Sequence, residues 1–76
     1  MNVDANRAIG QCLKETRVRQ GHTQSQLAEA LGRPQSFVSK IESGERSLHL
    51  SELFDYARAL GISVEGLVRD IDAVLS

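Results

Sequence analysis

Apolar residues recur along this chain with the spacing of amphipathic helices, and no segment shows the strict alternation of a half-buried strand. The first such pattern ends at Gly21 and predicts a helix over about residues 5–20. Four residues of this pattern stand at i, i+3, i+4 and i+7 and share one helical face: Ile9, Cys12, Leu13 and Thr16.

Two shorter helical patterns follow between residues 23 and 44. Thr23 and Gln26 have the spacing of a capping box, which starts a second helix near Gln24. Its apolar positions fall at i, i+1 and i+4 and are Leu27, Ala28 and Leu31. The pattern predicts a short helix with one narrow apolar face and a broad polar one.

The connection between these two patterns is a tight turn. Gly32 stands where a left-handed helix end belongs, and Pro34 restricts φ at the start of a third helix that Gly44 ends. Val38 and Ile41 form the apolar face of this third helix. Only about three residues remain for the turn, and a turn of that length holds two helices at roughly 90–120°. We therefore predict a helix-turn-helix whose second helix projects from the domain.

Two more helices are predicted in the last third of the chain. Ser51 is a good N-cap for a fourth helix that Gly61 ends, and Ser63 caps a fifth over residues 64–75. The packed side of the fourth helix is expected to carry Leu50, Leu53, Phe54, Ala57 and Leu60. The fold class is thus all-α, a compact five-helix bundle in a single domain of residues 1–76 with a core of about residues 5–68.

Composition and charge are those of an ordinary globular domain, with 41% hydrophobic and 25% charged residues. The net charge of −1 argues at first sight against nucleic acid. Its distribution is uneven, because seven basic residues face five acidic ones through Arg46, whereas two face five from Ser47 onward. The helix-turn-helix lies in the cationic half. Since the excess is small, we predict modest DNA affinity per subunit.

Several other classes of function find little support. No apolar run is long enough to span a bilayer and no signal-peptide core is present, so a cytoplasmic protein without membrane contact is expected. No metal-ligand cluster, Gly-rich phosphate loop or Cys/His pair is visible, so we predict no metal, no cofactor and no enzymatic activity. Cys12 fits a buried core position better than a redox role, and His22 a half-buried ring better than a pH sensor or metal ligand.

The helix-turn-helix segment resembles the Cro and repressor (Xre) family of bacterial and phage DNA-binding domains. The resemblance rests on Gln24-x-x-Leu27-Ala28-x-x-x-Gly32 followed by Gln35-Ser36-Phe37-Val38-Ser39-Lys40-Ile41-Glu42-x-Gly44, and it extends from about Ile9 to Leu67. In that family the third helix reads the major groove. Glutamine suits adenine, lysine suits guanine, and serine accepts either partner. The resemblance therefore implies four base-reading residues, Gln35, Ser36, Ser39 and Lys40.

The resemblance and the positions together suggest five contacts to the DNA backbone: Gln24, Arg33, Phe37, Ser43 and Arg46. Gln24 lies at a helix N-terminus, which favours phosphate, and by resemblance it also braces Gln35; an ordinary surface glutamine is the alternative. Phe37 could instead touch a thymine methyl or cover a neighbouring side chain. The resemblance further implies a partly buried ion pair between Arg17 and Glu42, with Arg17 shared with a phosphate as an alternative.

The last helix carries more apolar surface than one small domain can cover. Four of its residues are expected at a two-fold homodimer interface: Val68, Ile71, Val74 and Leu75. The alternative is that residues 70–76 fold back or fray.

The leading interpretation is a sequence-specific transcriptional regulator that binds double-stranded DNA, at a palindromic operator, as a homodimer. No small-molecule ligand is expected. A protein-interaction module, such as an antitoxin-like or adaptor subunit with little DNA affinity, is the alternative.

Overall fold

The computed structural model describes residues 3–76 and, over that range, contains five α-helices and no strand. The predicted all-α, five-helix architecture is confirmed. In chain order the helices are α1 Val3–Arg19, α2 Gln24–Leu31, α3 Gln35–Ser43, α4 Leu50–Leu60 and α5 Val64–Leu75.

Local hydrogen bonds start α2 and α5 where the sequence predicts. The Thr23 hydroxyl accepts from the Gln26 N–H at 3.0 Å, while the Gln26 side chain accepts from the Thr23 N–H at 2.9 Å. The Ser63 hydroxyl accepts from the Gly66 N–H at 3.0 Å. Gly32 ends α2 with φ of +67°, in the left-handed region where a Cβ would be strained. Both predicted caps are confirmed.

The fourth helix begins near Ser51 as predicted, but the predicted N-cap is wrong. Its N-cap is His49 and its first helical residue is Leu50, because the Glu52 carboxylate accepts from the His49 N–H at 2.9 Å. Ser51 lies inside the first turn. The side of α4 that packs also differs, since Leu50 is 73% and Phe54 46% exposed. Two residues that the sequence pattern did not assign to the core, Glu52 and Tyr56, are buried instead.

One hydrophobic core joins all five helices. α1 packs against α3 and α5, while α2 packs against α3 and α4. The residues that the spacing assigns to the inner faces of α1, α2 and α3 are buried there, as is Leu67 of α5, except that Leu31 at the end of α2 is only partly buried. The largest apolar side chains that are fully buried in the core are Leu13, Leu27, Val38, Ile41, Tyr56 and Leu67.

The backbones of α1 and α3 approach closely where α1 crosses the end of α3. A Cβ placed on Gly10 would collide with the Ile41 carbonyl oxygen and lie 2.6 Å from that of Glu42. Any side chain at residue 10 would therefore push the two helices apart. This contact fixes the C-terminal end of α3 against the body of the domain, and it is not apparent from the sequence pattern.

Candidate nucleic-acid interface

The outward face of α3 carries four exposed polar residues: Gln35, Ser36, Ser39 and Lys40. The opposite face consists of Val38 and Ile41, both fully enclosed by the core. Such a division follows from the period of the helix, which places residues 35, 36, 39 and 40 together. The helix therefore presents to solvent the residue types that hydrogen-bond to base edges.

A buried ion pair joins α1 to the last turn of α3. Arg17 Nε lies 2.6 Å from Glu42 Oε2, and Arg17 Nη2 donates to Glu42 Oε1 at 3.1 Å. The two side chains are only 9% and 3% exposed. The remaining Arg17 nitrogen donates to the His22 carbonyl at 2.7 Å. The hydrogen bond to Glu42 raises the pKa of Arg17, and its guanidinium is committed to the fold.

Gln24 connects this ion pair to the start of α3. Its Nε2 donates to Glu42 Oε1 at 3.0 Å, and its Oε1 accepts from Gln35 Nε2 at 3.3 Å. The hydroxyl of Ser25 donates to the Gln35 Oε1 at 2.9 Å. The structure thus brings Gln24 against Gln35. Ser25 is a participant that the sequence analysis missed, because only the angle between α2 and α3 brings it to Gln35.

On the other side of α3, two arginines share one buried carboxylate. Arg46 donates to both oxygens of Glu52, at 2.7 and 2.9 Å, and Arg33 donates to Oε2 at 3.2 Å. Their guanidinium carbons lie 4.7 and 4.5 Å from the centre of the Phe37 ring. We call these four residues the arginine cluster. The Arg46 hydrogen bonds hold the Glu52 pKa down, at about 2.

The expectation that Phe37 contacts the DNA backbone is wrong. Phe37 is 8% exposed, and its ring centre lies 6.4 Å from that of Tyr56 in the core. The ring points toward Tyr56 of α4, and the guanidinium groups of Arg33 and Arg46 cover it from the solvent side. Arg33 remains exposed and Arg46 partly so, hence both still have surface for a phosphate. Ser43 is exposed too, and its hydroxyl donates to the Lys40 carbonyl at 3.1 Å.

The apolar stripe of α5 divides into two flanks around the buried Leu67. Ile71 lines a groove that reaches across to α4, together with Leu50 and Leu53. Val68 and Leu75, both exposed, lie on this flank in helical register. Val74 lies on the other flank and, with Cys12 and Asp70, lines a separate depression beside α1. Cys12 is a free, buried thiol, and burial raises its pKa.

Within residues 3–76, no group of three or more His, Cys, Asp or Glu side chains has the arrangement of a metal site. No helix in that range combines the length and apolar character needed to cross a membrane. His22 is partly buried before the start of α2.

The two helices α2 and α3, joined by a three-residue turn, define a helix-turn-helix domain. A protein-family model described as helix-turn-helix matches residues 13–67. A curated relative, the uncharacterized HTH-type transcriptional regulator y4dJ of Sinorhizobium fredii, is 30% identical over 70 residues, which cover 92% of this chain and 91% of that protein.

Solved structures agree with this match. An XRE-family like protein from Pseudomonas syringae is 40% identical with a TM-score of 0.81, over 96% of this chain and 89% of that one. The restriction-modification controller protein C.Esp1396I, solved as a tetramer in complex with its natural 35 base-pair operator, is 25% identical with a TM-score of 0.74, over 88% of this chain and 93% of that one. This chain belongs to the XRE family of helix-turn-helix proteins, as the pattern of residues 24–44 predicts.

Proposed function

We propose that this protein is a transcriptional regulator that binds double-stranded DNA sequence-specifically, with α3 in the major groove. The observation that carries the proposal is the exposed polar face of α3 on a helix held at both ends by the fold. The curated relative bears the name of a transcriptional regulator, and C.Esp1396I has been solved on operator DNA, which supports the same role here.

In this proposal Gln35, Ser36, Ser39 and Lys40 read base edges. Gln35 pairs with adenine through both ends of its amide, Lys40 donates to guanine, and the two serines donate or accept. Reading from an anchored helix adds affinity, because less side-chain and backbone freedom is lost on binding.

Backbone contacts are proposed on both sides of α3. The helical period places Glu42 at one edge of the four reading residues and Phe37 at the other. Gln24 contacts Glu42, and Arg33 and Arg46 contact Phe37, so these three side chains flank the reading residues on both sides. We assign Gln24 to one DNA strand, and Arg33 and Arg46 to the other, with Ser43 as a further phosphate contact. Contacts on both strands would fix the register of α3 in the groove.

Selection from random duplexes, followed by substitution, tests this assignment. Gln35→Ala should reduce discrimination by roughly 1–3 kcal/mol at one base pair of the selected site. Gln24→Ala should weaken binding to all sequences and, because Gln24 is also a hydrogen-bond partner of Gln35, reduce discrimination at that same base pair. Gln11→Ala changes an exposed glutamine of α1 and is the matched control. Wild-type affinity and discrimination in the Gln35 variant would contradict the proposed groove contact.

We further propose a two-fold homodimer formed by one continuous apolar flank of α4 and α5. The flank comprises Leu50, Phe54, Val68, Ile71 and Leu75, and the groove shared by Leu50 and Ile71 joins its two halves. It differs from the expectation based on α5 alone, because it gains two α4 residues and omits Val74. Dimerisation would double the contacts of a domain whose net charge gives weak attraction to DNA.

Sedimentation equilibrium tests the dimer. The wild type should be dimeric at tens of micromolar, and Phe54→Lys should shift the equilibrium to monomer. Val18→Lys introduces the same charge at another exposed apolar residue, on α1, and should leave the dimer intact. A monomeric wild type would rule out the proposed interface.

A cytoplasmic location and a role in binding without catalysis accompany this proposal. The near-neutral charge and the exposed apolar flank also suit the alternative, a protein-interaction module with little DNA affinity. A salt titration separates the two functions, because a DNA-binding protein loses affinity log-linearly as salt rises. Absence of salt-dependent binding to any duplex would favour the interaction module.

A further inference from the structure

A continuous series of hydrogen bonds runs from the buried ion pair to the surface of α3. It passes from Arg17 to Glu42, from Glu42 to Gln24, from Gln24 to Gln35 and from Gln35 to Ser25. We call this series the amide relay. Its two glutamines each have a side-chain amide with a donor end and an acceptor end, so the direction in which each amide points has chemical meaning.

The charge of Glu42 determines that direction. A carboxylate only accepts hydrogen bonds, so Gln24 must turn its NH₂ group toward Glu42, which leaves its carbonyl facing Gln35. Gln35 must then turn its own NH₂ group toward Gln24 and its carbonyl toward the Ser25 hydroxyl. Reversing Gln35 alone would set two carbonyl oxygens against each other. Glu42, the only charged acceptor of the relay, thus fixes the orientation of Gln35 through two successive hydrogen bonds.

The relay leaves Gln35 half of its hydrogen-bonding capacity. One proton of its NH₂ group goes to Gln24 and one lone pair of its carbonyl accepts from Ser25. The second proton and the second lone pair form no hydrogen bond within the described residues. They are sufficient for one bidentate contact to adenine, which presents its N7 acceptor beside its N6 donor.

We propose that Glu42 and Ser25 are positioning residues that set the base preference of Gln35 by fixing the orientation of its amide. The inference rests on the proposed function, since it concerns how α3 reads DNA. An amide held in one orientation can pair with adenine only where the N6 donor and the N7 acceptor follow each other in the matching order along the major groove. Gln35 therefore distinguishes an A·T pair from a T·A pair at the same position, which a freely rotating amide would do poorly.

Two substitutions test the relay at its two ends. Ser25→Ala removes the donor to the Gln35 carbonyl and lies on the exposed side of α2, so it should leave the fold unchanged. Glu42→Gln replaces an acceptor by a group that can also donate, which allows both glutamines to reverse. The matched control is Ser51→Ala, because Ser51 is exposed and is the second residue of α4 as Ser25 is of α2.

Gln35→Ala identifies the base pair of the selected operator at which discrimination is lost. The measurement is the Kd for that operator and for three duplexes that carry each of the other three base pairs at this position. Wild type should prefer A·T or T·A there. Ser25→Ala should reduce that preference by about three- to tenfold, as expected for the loss of one hydrogen bond, with little change at other positions. Glu42→Gln should abolish or reverse it, and Ser51→Ala should do neither. Should Glu42→Gln fail to fold, as its circular dichroism would show, Ser25→Ala alone decides.

A second readout requires no DNA. In ¹⁵N–¹H spectra of the free protein, Ser25→Ala should shift the side-chain NH₂ signals of Gln35 and leave those of exposed Gln11 unchanged. If the wild type bound no duplex, the proposed function would fail, and the inference with it. If the wild type discriminated and Ser25→Ala kept the full preference, or if the preferred pair contained no adenine, the inference would fail while the proposed function stood.

Discussion

Replacing Arg17 by methionine should remove a large part of the stability of this domain. The substitution leaves the Glu42 carboxylate without its charge partner, at a site where both side chains are nine-tenths or more enclosed. Breaking a buried ion pair from one side costs about 3–5 kcal/mol. A domain of this size has roughly 4–11 kcal/mol in total, so the loss should lower the thermal midpoint by on the order of 12–40 °C.

A double variant separates the unpaired charge from lost packing. With both charges removed, Arg17→Met/Glu42→Leu should recover most of the loss, because no buried ion remains without a partner. The recovery should be incomplete, since the His22 carbonyl and the Gln24 amide each lose a hydrogen-bond partner. That remaining deficit should be about 1–3 kcal/mol.

Urea denaturation followed by circular dichroism measures these free energies of unfolding. Arg58→Met, at an exposed arginine of α4 that pairs with Asp55 on the surface, is the control and should cost less than about 1 kcal/mol. The reasoning would be refuted if Arg17→Met cost no more than this control. It would also be refuted if the double variant were as unstable as the sum of the single ones.

Three further predictions concern the fold. Gly10→Ala should destabilise by on the order of 2 kcal/mol in urea, although alanine is the better helix former, because its Cβ would meet the Ile41 carbonyl; an unchanged midpoint would contradict the close crossing. Tyr56→Phe should be neutral or stabilising by up to about 1 kcal/mol, since the buried hydroxyl has no partner among residues 3–76; a clear loss in the same assay would argue against this. The Glu52 pKa is lowered from 4.5 to about 2, so the contribution of this carboxylate to stability is present above about pH 4.5 and is lost as the pH falls toward 2. Glu52→Gln should therefore make the thermal midpoint depend less on pH across that range, and an unchanged pH dependence would contradict this.

The fold was predictable where local chemistry decides it. The start of α2 follows from Thr23 and Gln26 alone, because both partners of the capping box lie within one turn. The N-cap of α4 was missed although its capping partners, His49 and Glu52, are just as local, because histidine is not one of the preferred N-cap residues. Glu52 is drawn inward by arginines 6 and 19 residues away, and a sequence pattern treats such a carboxylate as solvent-facing. Tyr56, four residues after Glu52, is buried on the same side of α4.

The candidate site shows the same division between local and distant causes. The outward face of α3 follows from helical spacing, and the inward position of Val38 and Ile41 agrees with it. Ser25 was missed because its contact with Gln35 depends on the angle between two helices. Phe37 was misassigned because the arginines that cover it come from the two loops that flank α3, and the helical spacing alone does not show them.

The attachment of α3 at several points has a consequence for how proteins of this kind diverge. The side chains of Ser36, Ser39 and Lys40 form no hydrogen bond or ion pair with any other part of the chain over residues 3–76, so exchanging them leaves the scaffold untouched. A duplicated gene could therefore acquire a new target site through substitutions at these positions without passing through an unstable intermediate. Gln35 is different, because a new residue there must also suit Gln24 and Ser25, and we expect it to change more slowly.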